Sequence, residues 1–138
     1  MATAIIYWSG TGNTEAMAQA IDAGMKEAGA EVALFEVEKF DVTTLDSYDK
    51  LALGCPSMGA EVLEETIFEP FFVSIEPKLA GKKVALFGSY GWGDGEWMRD
   101  WHERTKKLDA VLFDEGFMQN EAPDASVCKD YGIRLAAF

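Results

Sequence analysis

Apolar runs and helical repeats alternate along this chain with little between them. Ala4, Ile5, Ile6, Tyr7 and Trp8 form one continuous run, which suits a strand. After residues 9–14, Met17, Ile21 and Met25 recur every four positions with Ala18, Ala20, Gly24 and Ala28 beside them, and Gly29 supplies the stop. Residues 31–37 suit a second strand and 51–55 a third. Residues 64–75, around Phe68, Phe71, Phe72 and Ile75, read as a second helix marked by Pro70. Val84, Ala85, Leu86 and Phe87 suit a central strand buried on both faces. Residues 96–108 are helical, and a fifth strand starts at 110–113. Residues 125–138 close the chain as a helix with Val127, Tyr131 and Leu135 on one stripe. Five β–α alternations predict an α/β fold, a five-stranded parallel sheet with helices on both faces.

Composition narrows what such a fold does. The 138 residues, 49% of them hydrophobic, suit one domain over 1–138 with a proper core. The net charge of −12 argues against nucleic acid or an anionic membrane face and favours a basic protein partner. No basic, apolar leader precedes Ile5, and no apolar run approaches the roughly 20 residues needed to span a bilayer, so the expected location is the cytoplasm. Cys55 and Cys128 lie far apart without CxxC or metal spacing and read as small buried residues.

In an open parallel sheet, ligands bind beyond the carboxyl ends of the strands. Three loops fall there. Ser9, Gly10, Thr11, Gly12, Asn13 and Thr14 follow the first strand and open the first helix. Backbone N–H groups, a helix N-terminus, three hydroxyls and an amide thus face one point and cradle an anion. No Lys or Arg lies between Met1 and Gln19, which excludes a nucleotide P-loop with its obligatory Lys. Ser57, Met58, Gly59, Ala60 and Glu61 follow the third strand. Ser89, Tyr90, Gly91, Trp92 and Gly93 follow the fourth. A thioether and an indole on glycine-rich turns call for something flat and apolar to cover them.

These three motifs together resemble a flavodoxin of the short-chain, clostridial type over nearly the whole length. The resemblance implies strand order 2-1-3-4-5 and non-covalently bound FMN. It implies a one-electron carrier, expected to shuttle between semiquinone and hydroquinone as a monomer, and the acidic charge suggests transient complexes with basic redox proteins. It further implies that Met58 and Trp92 flank the isoalloxazine, that Glu61 binds the ring N3–H, and that backbone N–H groups of 91–93 reach the pyrimidine oxygen. Position 60 is Ala where some relatives carry a polar or acidic side chain, which leaves that position only a backbone role. Short-chain members lack a long insertion in the fifth strand, and here that strand is expected to run from Ala110 toward Gln119.

The residue chemistry agrees. Stacking on an aromatic side chain contributes roughly 1–3 kcal/mol per base, and a helix N-terminus offers about half a positive charge. One-electron reduction protonates flavin N5, and Gly59 tolerates the positive φ that turns its carbonyl toward that proton. Glu61, Glu64, Glu65, Asp94, Glu96 and Asp100 flank the site. Each carboxylate about 10 Å away opposes an anionic reduced ring by roughly 0.4–1.7 kcal/mol, which implies a low potential. Glu61 itself has two readings, a ring contact or a solvated acid. Trp97 and Trp101 read as packing residues, and His102 as an exposed residue of a charged helix.

Other functions fit less well. A phosphorelay receiver needs aspartates where Tyr7, Trp8 and Pro56 stand. A low-molecular-weight phosphatase needs a Cys and an Arg bounding residues 9–14. An FMN-dependent reductase of quinones or nicotinamides remains the alternative, and it needs substrate space over one ring face.

Overall fold

Alternate residues of the interior strands point into two separate cores, and this division organises the chain. The computed structural model describes residues 2–138. Its strands are β1 (Ala2–Tyr7), β2 (Val32–Glu36), β3 (Tyr48–Gly54), β4 (Lys83–Tyr90), β5 (Val111–Leu112) and β6 (Phe117–Asn120). Its α-helices are α1 (Asn13–Glu27), α2 (Phe68–Ile75), α3 (Glu96–Lys106) and α4 (Ala125–Ala136). All strand pairs are parallel, in the expected order β2-β1-β3-β4-β5, with β6 also on β4. Ala4 and Ile6 of β1, Leu51 and Leu53 of β3, and Val84 and Leu86 of β4 pack under α2 and α3. Ile5, Tyr7, Ala52, Ala85 and Phe87 pack under α1 and α4. Period-2 geometry makes this split inevitable once both faces are covered.

The fifth strand departs from the expectation. Between Val84 and Phe87 β4 advances three residues, while its neighbour goes from Leu112 to Phe117. The two extra residues leave the ladder as a loop in which Asp114 adopts φ 52° and binds Arg134 at 2.7 Å. Phe113 and Phe117 pack on Tyr131 from either side of that loop, the second ring stacked at 4.2 Å. Two short segments therefore fill the place of one strand, because both aromatic rings are claimed by α4.

The helices differ in detail too. α2 starts at Phe68, since residues 64–67 form a turn around Glu64. That carboxylate is buried and accepts from the N–H groups of Thr66 (2.9 Å), Ile67 (2.8 Å) and Phe68 (2.8 Å) and from the Thr66 hydroxyl. The buried stripe of α4 is Cys128, Tyr131, Gly132 and Leu135, whereas Val127 is exposed. Gly132 lies against the Ile21 backbone of α1 and Gly24 against that of Lys129, so glycine contacts set this rotation. Cys55 and Cys128 are free thiols with no exposed surface, as expected. No helix among the described residues is long and apolar enough to cross a membrane.

Burial alone would raise the Glu64 carboxyl. The bonds from the Thr66 hydroxyl and the Phe68, Thr66 and Ile67 N–H groups outweigh it and hold the group below its ordinary value. A depressed folded value means stability present above the unfolded carboxyl value and lost as pH falls through the folded one. Glu64→Gln is expected to lower unfolding stability by about 1.5–3 kcal/mol at neutral pH in a denaturant titration. The difference between variant and parent is expected to shrink below about pH 4.

Candidate cofactor site

The phosphate loop follows from how β1 ends. Trp8 N–H donates to the Gly54 carbonyl at 3.0 Å, and beyond it the chain leaves the sheet. Ser9 Oγ accepts from the N–H groups of Gly12 and Glu15, both at 3.2 Å, which leaves the Ser9 hydroxyl hydrogen free to donate outward. Among the described residues, no protein acceptor takes the N–H of Gly10, Thr11, Asn13 or Thr14. These orphan donors sit at the positive end of α1 and fit an anion. Among the described residues, no basic side chain lines either cleft beside the loop. An acid stands beside the loop instead: Glu15 lies in the first turn of α1 and accepts from the Tyr7 hydroxyl at 2.8 Å.

Thr14 lies at the buried root of this loop. Its side chain is buried, with Oγ1 at 2.8 Å from Ser89 Oγ and accepting from Ser89 N–H at 3.3 Å. It joins the first loop to the third. Ser57 N–H donates to the Ser89 carbonyl at 3.0 Å and joins the second to the same strand end. One cleft of about 220 Å³ results, lined by Gly10, Thr11, Asn13, Ser57, Met58, Ser89, Tyr90 and Gly91. Pro56, which opens the second loop, and Glu121, which the sequence did not single out, line it as well. Glu121 N–H and the Asn120 amide both donate to the Tyr90 carbonyl, at 2.7 and 3.2 Å, so β6 braces the third loop. The split of the fifth strand hid that brace in the sequence.

The second loop is a tight turn closed by reciprocal bonds between Met58 and Val62, at 2.8 and 3.0 Å. Gly59 takes φ 50° and faces open space, and Ala60 is exposed. Glu61, at φ 55°, turns inward. It is buried, which overturns the solvated reading, and its Oε1 has no hydrogen-bond partner among the described residues. A buried carboxylate oxygen without a donor awaits one. Gly93 covers it so closely that a Cβ there would lie 2.1 Å from Oε1. Trp92, beside Gly93, is 65% exposed, an indole that nothing in the fold covers. Tyr90 is half-buried against Trp97 instead, with ring centroids 5.7 Å apart.

Two of the flanking acids have protein partners. Glu64 accepts from the turn before α2 and keeps its charge, and Asp94 holds Arg99 at 3.0 Å, whose guanidinium bond and charge keep that carboxyl low. Trp97 and Trp101 are core residues, as expected. His102 is half-buried rather than exposed, in a separate cleft with Met98 and Met118.

Orphan donors for a phosphate at one end and an uncovered indole with an unpartnered carboxylate at the other suit a flavin mononucleotide. The fold and the cleft thus define a flavin-nucleotide-binding α/β protein. Comparison with known proteins agrees: the flavodoxin family model matches residues 5–130. A flavodoxin of Megasphaera elsdenii is 53% identical over 96% of both chains. One of Clostridium beijerinckii is 48% identical over 96% of this chain and 97% of its own. The solution structure of two-electron reduced Megasphaera elsdenii flavodoxin superposes with a TM-score of 0.91, at 50% identity and 99% coverage of both. The chain belongs to the flavodoxin family, short-chain and clostridial in type. As such it is an FMN-binding electron-transfer protein and not an enzyme.

Gly93 gives the site a direct check. Its φ of 84° and its contact with Glu61 both oppose a side chain, whereas Gly91 has open space. Gly93→Ala is expected to weaken FMN binding about tenfold or more, from about 1–3 kcal/mol of strain. Flavin fluorescence quenching measures it.

Proposed function

We propose that residues 9–14 hold the FMN phosphate through neutral donors and that Met58 and Trp92 flank the ring. Glu61 Oε1 accepts the ring N3–H, and the backbone N–H groups of 91–93 serve the pyrimidine oxygen. Ser57, Gly59, Ala60, Ser89 and Tyr90 complete the site by backbone or packing. The observation that carries this reading is Glu61: buried, without a donor, and lying where the second and third loops meet.

Bound FMN supplies the redox chemistry, accepting and releasing one electron at a time. The chain decides at what potential. Gly59 offers a carbonyl to ring N5 once that atom carries a proton, and its positive φ permits the turn. Glu61, Glu65, Glu96 and Asp100 oppose further negative charge, while Arg99 offsets Asp94. The absence of Lys or Arg at the phosphate keeps another stabilising cation away. A low-potential carrier follows.

The whole chain works as a single domain and a monomer. Its acidic surface suits brief complexes with basic redox proteins in the cytoplasm.

Stepwise reduction of the FMN-loaded protein, followed by absorption, is expected to resolve two one-electron potentials. Added salt is expected to raise the lower one by screening; a single two-electron step without salt dependence would contradict the reading. Gly59→Ala is expected to lower the first potential with FMN still bound. About 1–2 kcal/mol of left-handed strain corresponds to roughly 40–85 mV. With NAD(P)H and a quinone, turnover without a separate reductase is expected to be negligible.

A further inference from the structure

Trp97 stands outside the residues assigned to the cofactor, and only 1% of it is exposed. Its indole N–H nevertheless donates to the Cys55 carbonyl at 3.2 Å, immediately before the loop that carries Met58 and Gly59. Its ring meets that of Tyr90, which opens the loop carrying Trp92, and it shares a small cleft with Glu61. One side chain therefore touches the roots of both ring loops.

The neighbourhood is built around this contact. Cys55 N–H donates to the Phe87 carbonyl at 3.1 Å, and Cys55 Sγ accepts from Glu64 N–H at 3.4 Å. Gly88 has no Cβ, and one there would lie 2.2 Å from the Cys55 oxygen and 3.1 Å from the Trp97 ring. The bond is buried, so removing its donor leaves a carbonyl unsatisfied where water does not reach. Trp101, one turn further along α3, supplies a contrast. It is equally buried and packs edge-on to Phe68 and Phe72, but its indole N–H has no partner among the described residues.

We propose that Trp97 is a positioning residue: by fixing the Cys55 carbonyl it holds the start of the 58–61 turn against the 90–93 loop, and so favours uptake of the first electron. This rests on the assignment of the flavin ring to those two loops. A turn fixed at both ends, at Cys55 and by the Met58–Val62 pair, rearranges only through its central peptides. With the first anchor gone, the turn spreads over more conformers and presents the Gly59 carbonyl less often. The second electron is governed by surrounding charge, which Trp97 does not carry.

Trp97→Phe and Trp101→Phe, both loaded with FMN, separate this role from packing. Both are expected to lower Tm. Only Trp97→Phe is expected to lower the equilibrium constant for the first electron, about threefold or more, leaving that for the second unchanged. Equal shifts in the two variants, or none in Trp97→Phe, overturn the proposal. Should Trp97→Phe fail to fold, hydrogen exchange in the parent protein decides. FMN binding is expected to slow exchange of the Trp97 indole N–H about tenfold and leave that of Trp101 unchanged; equal effects overturn the proposal. A parent chain that binds no FMN overturns the ring assignment itself, and a parent that binds FMN with unaltered Trp97→Phe potentials overturns only the role of Trp97.

Discussion

Thr14 Oγ1 and Ser89 Oγ lie 2.8 Å apart in a buried position where a helix start meets a strand end. On that contact depends the geometry of everything at the carboxyl edge of the sheet. It holds the α1 N-terminus, with its unclaimed N–H groups, at a fixed offset from the loop bearing Trp92. Ser57 then attaches the Met58 turn to the same Ser89 through a backbone bond. A ligand with a phosphate at one end and a flat ring at the other is measured by this spacing. The spacing is rigid because β4 is buried on both faces and paired on both sides. Loops rooted in such a strand have little freedom except at their tips.

Charge follows a consistent plan. The loop at residues 9–14 presents donors, no cation lines its clefts among the described residues, and Glu15 beside it is an acid. The ring end carries carboxylates, among them Glu61, held in a buried position without a donor. Burying a carboxylate oxygen without a donor is costly, and the ring N–H that we propose it accepts would relieve that cost. Arg99 tempers the field through Asp94. In the proposed site, binding relies on dipoles and stacking, which leaves the electrostatic environment free to oppose electron uptake.

Much of this was legible in the sequence because the signals were local. A glycine-rich stretch between a strand run and a helical repeat marks a phosphate loop whatever surrounds it. Met58 and Trp92 stood out as large apolar groups among glycines. What could not be read was non-local. The inward turn of Thr14 depends on Ser89, 75 positions away. The burial of Glu61 depends on Gly93, which closes over it only after β3 and β4 pair. The break between β5 and β6 comes from the competition of α4 for Phe113 and Phe117. Glu64 reads from the sequence only as one of the acids flanking the site, because nothing in the local pattern announces a carboxylate that caps the turn before α2. Trp97 and Trp101 are indistinguishable by spacing, and only the partner of one indole N–H separates them.

In the proposed site a cation-free cradle and a buried carboxylate hold the two ends of one FMN molecule. A crystal structure of the FMN-loaded protein is the sharpest check. The phosphate is expected within hydrogen-bond distance of backbone N–H groups of residues 10–14, with no Lys or Arg side chain bound to it. The ring is expected between Met58 and Trp92 with N3 on Glu61 Oε1. A phosphate paired with a basic side chain, or a Glu61 Oε1 still without a partner, would contradict it.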